Sequence, residues 1–175
     1  MRGGVDLKKL QTFMEELGNT ARGPGRVYIV GGSTALLLGI REMTIDVDIK
    51  LDPEPLGVFE SIARLKEQLS INVELASPDQ FIPAIRGWQE RSEFIARYGQ
   101  VEFCHYDFYG QALAKIQRNY ANDVEDARAL IRLGKVDRSR LGDYFEEIKP
   151  ELIRYPQINI KEIQRRVVDF LRSGE

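Results

Sequence analysis

The chain has 175 residues, a formal net charge of -2, a hydrophobic share of 43% and a charged share of 30%. These values fit one compact domain, or one core with a small helical addition, and they give no overall attraction to nucleic acid or to an anionic membrane. Cys104 is the only cysteine, which excludes an internal disulfide and a cysteine-based zinc site. No long apolar segment opens the chain, and no apolar run approaches the roughly 18 residues that span a bilayer. We therefore expect a soluble, cytoplasmic protein without membrane contact.

The first two-thirds of the sequence predict a mixture of helices and strands. Leu10, Phe13, Met14 and Leu17 recur at helical spacing, which predicts a helix over 5–18. The apolar run "RVYIVGG" predicts a buried strand. A short helix is predicted in "STALLLGI", with Ser33 near its start as N-cap. The next segment, "MTIDVDIKLDP", predicts an alternating strand with Ile45, Val47, Ile49 and Leu51 on one face. A helix over 56–69 and a strand in "INVELAS" are predicted to follow.

The remainder predicts one hairpin and then helices alone. We expect "SPDQFIPAIRGWQER" to be a loop and "SEFIARYGQVEFCHYD" to be a hairpin that turns near Tyr98–Gln100. Helices are predicted in "FYGQALAKIQRN", in a segment opened by a capping box of Asn122 and Glu125, and over 138–153 and 157–172. The prediction is an α+β fold with a C-terminal helical cap. We place a core over 1–107 and a helical region over 108–175 that packs on the core and completes its site.

Two aspartates, Asp46 and Asp48, share one face of the alternating strand. They lie about 6.6 Å apart along the strand, at roughly 3.3 Å per residue. Carboxylates at this spacing can hold one divalent cation or contribute to a two-metal site. Their hard oxygen atoms favour Mg²⁺ or Mn²⁺ over zinc. An Asp-x-Asp alone is equally typical of an exposed strand face.

A glycine pair, Gly31 and Gly32, precedes this acidic strand. Glycine allows a tight turn, and the backbone N–H groups at the start of the following helix, with the Ser33 hydroxyl, can bind an anion. Alone, the pair is also typical of any strand-to-helix turn that requires glycine. Together, the turn and the acids supply the two things that a nucleoside triphosphate needs, which are donors for its phosphate oxygens and ligands for its Mg²⁺.

These motifs resemble those of a known superfamily. The segments "VGGS" and "TIDVDI" resemble the signature of the DNA polymerase β-like nucleotidyltransferases. "REMTIDVDI" resembles the Arg-x-x-Thr-x-Asp-x-Asp motif of a small stand-alone branch related to the AbiEii and MenT-type toxins. "ALAKIQRNYANDVEDARALI" is similar to the downstream Lys-x-x-Arg and Asp-x-x-Asp motifs of that branch. The resemblance covers about residues 27–131 and implies the minimal nucleotidyltransferase fold, a mixed sheet flanked by helices.

The resemblance implies transfer of a nucleotidyl group from an NTP to an acceptor hydroxyl, with release of pyrophosphate. Asp46 and Asp48 would bind Mg²⁺ or Mn²⁺. The residues that would bind the nucleotide are Gly31, Gly32, Ser33, Thr44 and Arg118. The residues that would take part in catalysis are Asp46, Asp48, Lys115, Asp123 and Asp126.

In this scheme Lys115 would neutralise charge on the leaving group. Asp123 or Asp126 would be a metal ligand, a base or a partner that orients Lys115. These residues also have simpler structural explanations. Lys115 and Arg118 lie three apart on a helix, as in many solvated basic faces, and an acid in a first helical turn such as Asp123 is favoured by the helix dipole alone.

The third carboxylate that polymerase-like members carry on a later strand is left open by the sequence. The candidates are Glu74, Glu102, Asp107, Asp123 and Asp126. With that choice open, the site could hold one metal ion or two.

The acceptor implied by the resemblance is a tRNA end or a protein hydroxyl, and the toxin-like motifs favour RNA. A toxin of this kind would have a cognate antitoxin as partner. The alternative is a non-catalytic nucleotide- or partner-binding module with the same fold. A glycosyltransferase is disfavoured because the glycine turn precedes the acids, and an Asp-x-Asp-x-Thr phosphatase is disfavoured by Lys50.

Overall fold

The structure is a computed structural model that describes residues 3–174. It divides the chain into two compact units. The first comprises the chain up to Ser77 together with Ser92–Tyr106, and the second comprises Pro78–Arg91 together with the chain from Asp107. Neither unit is one uninterrupted segment. The division of the sequence at residue 107 stays a prediction.

The first unit combines a mixed sheet with helices. Its elements in chain order are β1 (Val5–Asp6), α1 (Leu7–Thr20), β2 (Gly25–Val30), α2 (Gly31–Leu37), β3 (Met43–Thr44), β4 (Asp46–Leu51), α3 (Val58–Gln68), β5 (Asn72–Leu75), β6 (Glu93–Tyr98) and β7 (Val101–His105). The main sheet has the order β5-β4-β2-β7-β6, and β1 pairs separately with β3. Strand β2 is antiparallel to β4 and parallel to β7, and β4 is parallel to β5. The predicted α+β class with a mixed sheet is therefore confirmed.

One face of this sheet forms the hydrophobic core. The four apolar residues of the predicted first helix are buried in it, as the helical spacing predicts. They pack with Val47 and Ile49 of β4 and with apolar residues of α3. Because successive strand residues point to opposite faces, burial of Val47 and Ile49 places Asp46 and Asp48 on the other face, where both are partly exposed.

Two local predictions in the first unit are wrong. Ser33 is not the N-cap of α2, because the helix already begins at Gly31 and its cap, Val30, offers no capping side chain. Ile45 does not share the buried face of β4, because it lies between β3 and β4 and its side chain is 80% exposed. The strand is interrupted there because β3 pairs with β1 and β4 pairs within the main sheet.

The second unit is helical in the residues that the structure describes. Its elements are a 3₁₀ turn at Pro78–Gln80, α4 (Trp88–Arg91), α5 (Phe108–Arg118), α6 (Ala121–Arg132), α7 (Arg138–Ile148), a 3₁₀ segment at Lys149–Arg154 and α8 (Ile160–Arg172). The segment that was expected to be a loop thus contains two short helical turns. Within residues 3–174, no helix combines the length and the apolar character that crossing a bilayer would require.

The predicted capping box at Asn122 and Glu125 is wrong. Helix α6 begins one residue earlier, at Ala121, and Tyr120 is its N-cap without a side-chain hydrogen bond. The early start follows from the end of α5, where Asn119 adopts a left-handed conformation with φ of 58° and turns the chain directly into α6. Asn122 therefore lies inside the helix.

Candidate active site

The glycine turn at the end of β2 lies against the acidic strand β4. In the register of these strands Val30 is opposite Asp48. Gly31 follows with φ of 63°, a left-handed conformation that favours glycine. A Cβ atom at Gly31 would lie 3.0 Å from Asp48 Oδ2, and one at Gly32 would lie 2.2 Å from Thr44 Oγ1. The turn reaches the acid and the hydroxyl only because these two positions carry no side chain.

Two hydroxyl groups connect the turn to the start of β4. Ser33 is fully buried, and its hydroxyl donates to the Asp46 carbonyl oxygen at 3.4 Å. The Thr44 hydroxyl donates to the same oxygen at 3.2 Å. Both side chains therefore join the glycine turn, β3 and β4. The assignment of Ser33 and Thr44 to nucleotide binding stays a prediction.

A buried hydrogen-bond chain anchors α2 to the sheet. The Thr34 hydroxyl donates to the Ile29 carbonyl oxygen at 3.0 Å and lies 3.0 Å from His105 Nδ1. Because a hydroxyl has a single proton to donate, Thr34 must accept from His105, so this network assigns the proton to Nδ1. The first turn of α2 is thus held to β2 and β7.

The Asp46 and Asp48 carboxylates have polar neighbours on β5. Asn72 is opposite Asp46 in the parallel register, and Glu74 is opposite Asp48. The Asn72 Nδ2 group donates to Asp46 Oδ1 at 2.9 Å and to Glu74 Oε1 at 2.9 Å. Three carboxylates and one amide therefore occupy adjacent positions on one sheet face.

This donor set fits a divalent cation that is bound together with a nucleotide. Within residues 3–174, no group of three or more His, Cys, Asp or Glu side chains is placed to hold a metal ion by itself. Asp46 and Asp48 can supply two carboxylate ligands. Mg²⁺ is commonly bound by one or two carboxylates plus phosphate oxygens and water, so a pair is sufficient.

Two of the candidate third carboxylates have other partners. Glu102 accepts from Arg26 Nη2 at 2.7 Å, and the hydrogen bonds from Arg26 and a second arginine hold the pKa of Glu102 below its usual value. Asp107 caps α5 by accepting from the Tyr109 N–H at 3.2 Å, and its other oxygen binds Arg91 Nη2 at 2.8 Å. Both acids have structural roles that account for them.

The second unit contains a group of four charged residues, of which Lys115, Asp123 and Asp126 are buried and Arg118 is exposed. Lys115 Nζ donates to Asp126 Oδ2 at 2.8 Å and lies 3.6 Å from Asp123 Oδ1. Arg118 Nε lies 3.2 Å from Asp123 Oδ2. This last contact has the distance of an ion pair but not the geometry of a hydrogen bond, since Asp123 Oδ2 is buried without a hydrogen-bond partner. Residues three apart on α5 thus face residues three apart on α6, and the charges balance.

Arg118 also contacts two aromatic rings. Its guanidinium carbon lies 5.4 Å from the Phe81 ring centre and 5.6 Å from that of Tyr120, within the range of cation–π attraction. The ring contacts and the Asp123 carboxylate together restrict the Arg118 side chain.

The predicted site residues thus fall into two groups. In the first unit the structure brings together Gly31, Gly32, Ser33, Thr44, Asp46 and Asp48. In the second unit it brings together Lys115, Arg118, Asp123 and Asp126.

The sequence analysis missed two residues of the first group. Arg41 Nη1 lies 3.7 Å from the position that a Gly32 Cβ would occupy, so a cation borders the glycine turn. Its signal was present, because Arg41 is the arginine of the Arg-x-x-Thr motif. Asn72 gave no such signal, since its place beside Asp46 depends on the pairing of β4 with β5.

A family model described as "Nucleotidyltransferase of unknown function (DUF6036)" matches residues 5–169. Neither the curated proteins nor the solved structures gave a match to this chain.

Proposed function

Since the chain belongs to the DUF6036 family of nucleotidyltransferases, we propose that it moves a nucleoside monophosphate from an NTP to an acceptor hydroxyl, with Mg²⁺ and release of pyrophosphate. The observation that carries the proposal is the close approach of the glycine turn to the acids. An ideal Cβ at Gly31 would lie 3.0 Å from the Asp48 carboxylate. The first unit therefore brings two elements close together: a turn that is suited to binding phosphate, and two aspartates that can supply oxygen ligands to a metal ion.

In this proposal Asp46 and Asp48 hold the divalent ion. When bound, the ion would neutralise phosphate charge and orient the triphosphate. The backbone of Gly31 and Gly32 lets the phosphates approach closely, and Arg41 adds a positive charge beside the turn. These roles use oxygen ligands and backbone groups that lie within contact of one another.

Lys115 is proposed to stabilise negative charge on the departing pyrophosphate. Its hydrogen bond to Asp126 at 2.8 Å supports this role, because the carboxylate pairs with the buried ammonium group and fixes its direction. Asp126 is accordingly proposed as the residue that orients Lys115. Asp123 holds Arg118, the proposed nucleotide-binding arginine of the same group.

The acceptor is proposed to be a tRNA end, and the protein a toxin with a cognate antitoxin. The support is the resemblance of "REMTIDVDI" and the downstream motifs to the toxin branch. A protein hydroxyl is the second candidate, which the net charge of -2 fits slightly better than RNA.

The test uses the purified full chain with Mg²⁺, each α-labelled NTP in turn, total tRNA and cell protein. Label is followed separately into RNA and protein, in the wild type, in an Asp46→Asn/Asp48→Asn variant and in an Asp143→Asn control. We expect label in RNA that disappears in the double variant and persists in the control, in which the altered acid is exposed. Label in protein instead of RNA would indicate that the acceptor is a protein hydroxyl and not a tRNA end. Binding of NTP without transfer would contradict the enzymatic proposal and favour the non-catalytic module.

A further inference from the structure

Asn72 joins two carboxylates on the polar face of the sheet. Its neighbour Val73 is buried in the core, so the strand pleat directs Asn72 to the opposite face, beside Asp46. One amide nitrogen donates to Asp46 Oδ1 and to Glu74 Oε1, in each case at 2.9 Å. Both of its N–H groups are thereby used.

The chemistry of the contacts fixes the direction of this amide. If the amide were reversed, its oxygen would face two carboxylate oxygens, and three acceptors would meet without a proton between them. In the observed direction each contact is a hydrogen bond to a charged acceptor, which is shorter and stronger than a neutral one. The amide is therefore a fixed donor to Asp46.

Asp46 depends on this donor more than Asp48 does. The Asn72 amide donates to Asp46 and to Glu74, whereas the Asp48 carboxylate lies beside the glycine turn, 3.0 Å from the position that a Gly31 Cβ would occupy. Asp46 begins β4 directly after the exposed Ile45. Among residues 3–174, the hydrogen bond that orients the Asp46 carboxylate comes from Asn72.

We propose that Asn72 is a positioning residue, whose amide orients Asp46 so that Asp46 and Asp48 present oxygen atoms to one divalent cation. This inference rests on the proposed function. Glu74, held by the same amide, does not complete a three-ligand metal group with the two aspartates. Partners that orient metal ligands typically change metal affinity by about 10–100-fold when they are lost.

The experiment measures binding of Mn²⁺ alone to the full chain by electron paramagnetic resonance. Asn72→Leu keeps a similar volume and removes both donors, whereas Asn72→Gln keeps the amide on a longer arm. We expect the Kd for Mn²⁺ to rise about tenfold in Asn72→Leu and to be partly restored in Asn72→Gln. Affinity for a fluorescent NTP analogue in EDTA should change less than twofold in both. Asn19→Leu, at an exposed position of α1, is the control.

The outcomes separate this inference from the proposed function. A wild type that binds neither Mn²⁺ nor the NTP analogue would contradict the proposed function and the inference with it. If the wild type binds both and Asn72→Leu binds Mn²⁺ equally well, the inference alone is overturned. An equal loss in the Leu and Gln variants, with a lowered Tm in both, would likewise overturn it, since Asn72 would then serve only to stabilise the fold.

Discussion

Gly31 and Gly32 are both needed at the turn, but for different physical reasons. Gly31 has a positive φ of 63°, so a side chain there would strain the backbone wherever it pointed. Gly32 lacks this conformation, and its requirement is space, because its Cβ would lie 2.2 Å from Thr44 Oγ1. Substitution at Gly32 therefore tests the contact between the turn and β3 without forcing an unfavourable backbone angle.

We predict that Gly32→Ala lowers the rate of nucleotidyl transfer by about 100-fold, the scale expected when a reacting group is misplaced by about 1 Å. The added methyl must displace Thr44 or move the turn away from β4. Transfer of label from α-labelled NTP measures the effect, with Gly23→Ala as the matched control, because a Cβ at Gly23 would make an ordinary contact of 3.5 Å with Leu56. Adding Thr44→Ala to Gly32→Ala should cost less than the product of the two single effects. An unaltered rate in Gly32→Ala would contradict the assignment of the site.

At the scale of elements, local periodicity predicted much of the fold. The period of two in β4 placed Asp46 and Asp48 on one face, and helical spacing predicted the buried residues of α1. The predictions failed at positions whose environment is determined by pairing between strands that are distant in the sequence. Ile45 has the right period but falls at the break between β3 and β4, and Asn72 becomes a neighbour of Asp46 only once β5 pairs with β4. No pattern within a single element contains that pairing.

The charged helix pair shows the same limit. A spacing of three predicted that Lys115 and Arg118 share one face of α5, but it did not decide between a solvated face and a site. The structure buries Lys115, Asp123 and Asp126, and each lysine-to-acid contact joins α5 to α6. Burial of opposite charges across two helices is a tertiary property that neither helix contains alone.

We predict that Lys115→Met lowers the free energy of unfolding by about 3–5 kcal/mol, because it removes the buried cation that pairs with Asp126 and leaves Asp123 with Arg118 alone. Trp88, the single tryptophan, belongs to the second unit, so its fluorescence during urea unfolding reports this change. Removing both partners in Lys115→Met/Asp126→Leu should recover part of the loss. Lys161→Met, at an exposed position of α8, should stay within about 0.5 kcal/mol of wild type.

A loss in Lys115→Met no larger than in Lys161→Met would show that the ion pair adds nothing to stability. Loss of transfer activity in a Lys115 variant that remains folded would then be a direct catalytic effect. Measuring both quantities on the same variants is therefore necessary to separate stability from chemistry.

At the scale of the whole molecule, residues 78–91 decide where the chain can be divided. They lie between β5 and β6 in the sequence, yet they belong to the second unit. Their contacts explain why. The Tyr155 hydroxyl donates to the Asp79 carbonyl oxygen at 2.9 Å, and Arg91 pairs with Asp107 at 2.8 Å. Ile82, Ile85 and Trp88 are buried, so a cut after residue 107 would keep Asp107 but would remove Tyr155 and the remaining helices of the second unit, while leaving these apolar side chains behind.

We predict that a fragment of residues 1–107 associates in solution and binds a hydrophobic dye. Exposure of each large apolar side chain to water costs about 1.5–3 kcal/mol, and a cluster of exposed apolar side chains favours association between molecules. Trp88 emission should shift to longer wavelength than in the full chain, where this residue is only 8% exposed. The matched fragment has residues 78–91 replaced by a Gly/Ser linker of equal length, and we expect it to bind less dye and to elute as a smaller species. If the unaltered fragment is instead monomeric, with Trp88 emission like that of the full chain, residues 78–91 do not require the second unit, and the division at residue 107 predicted from the sequence is the better one.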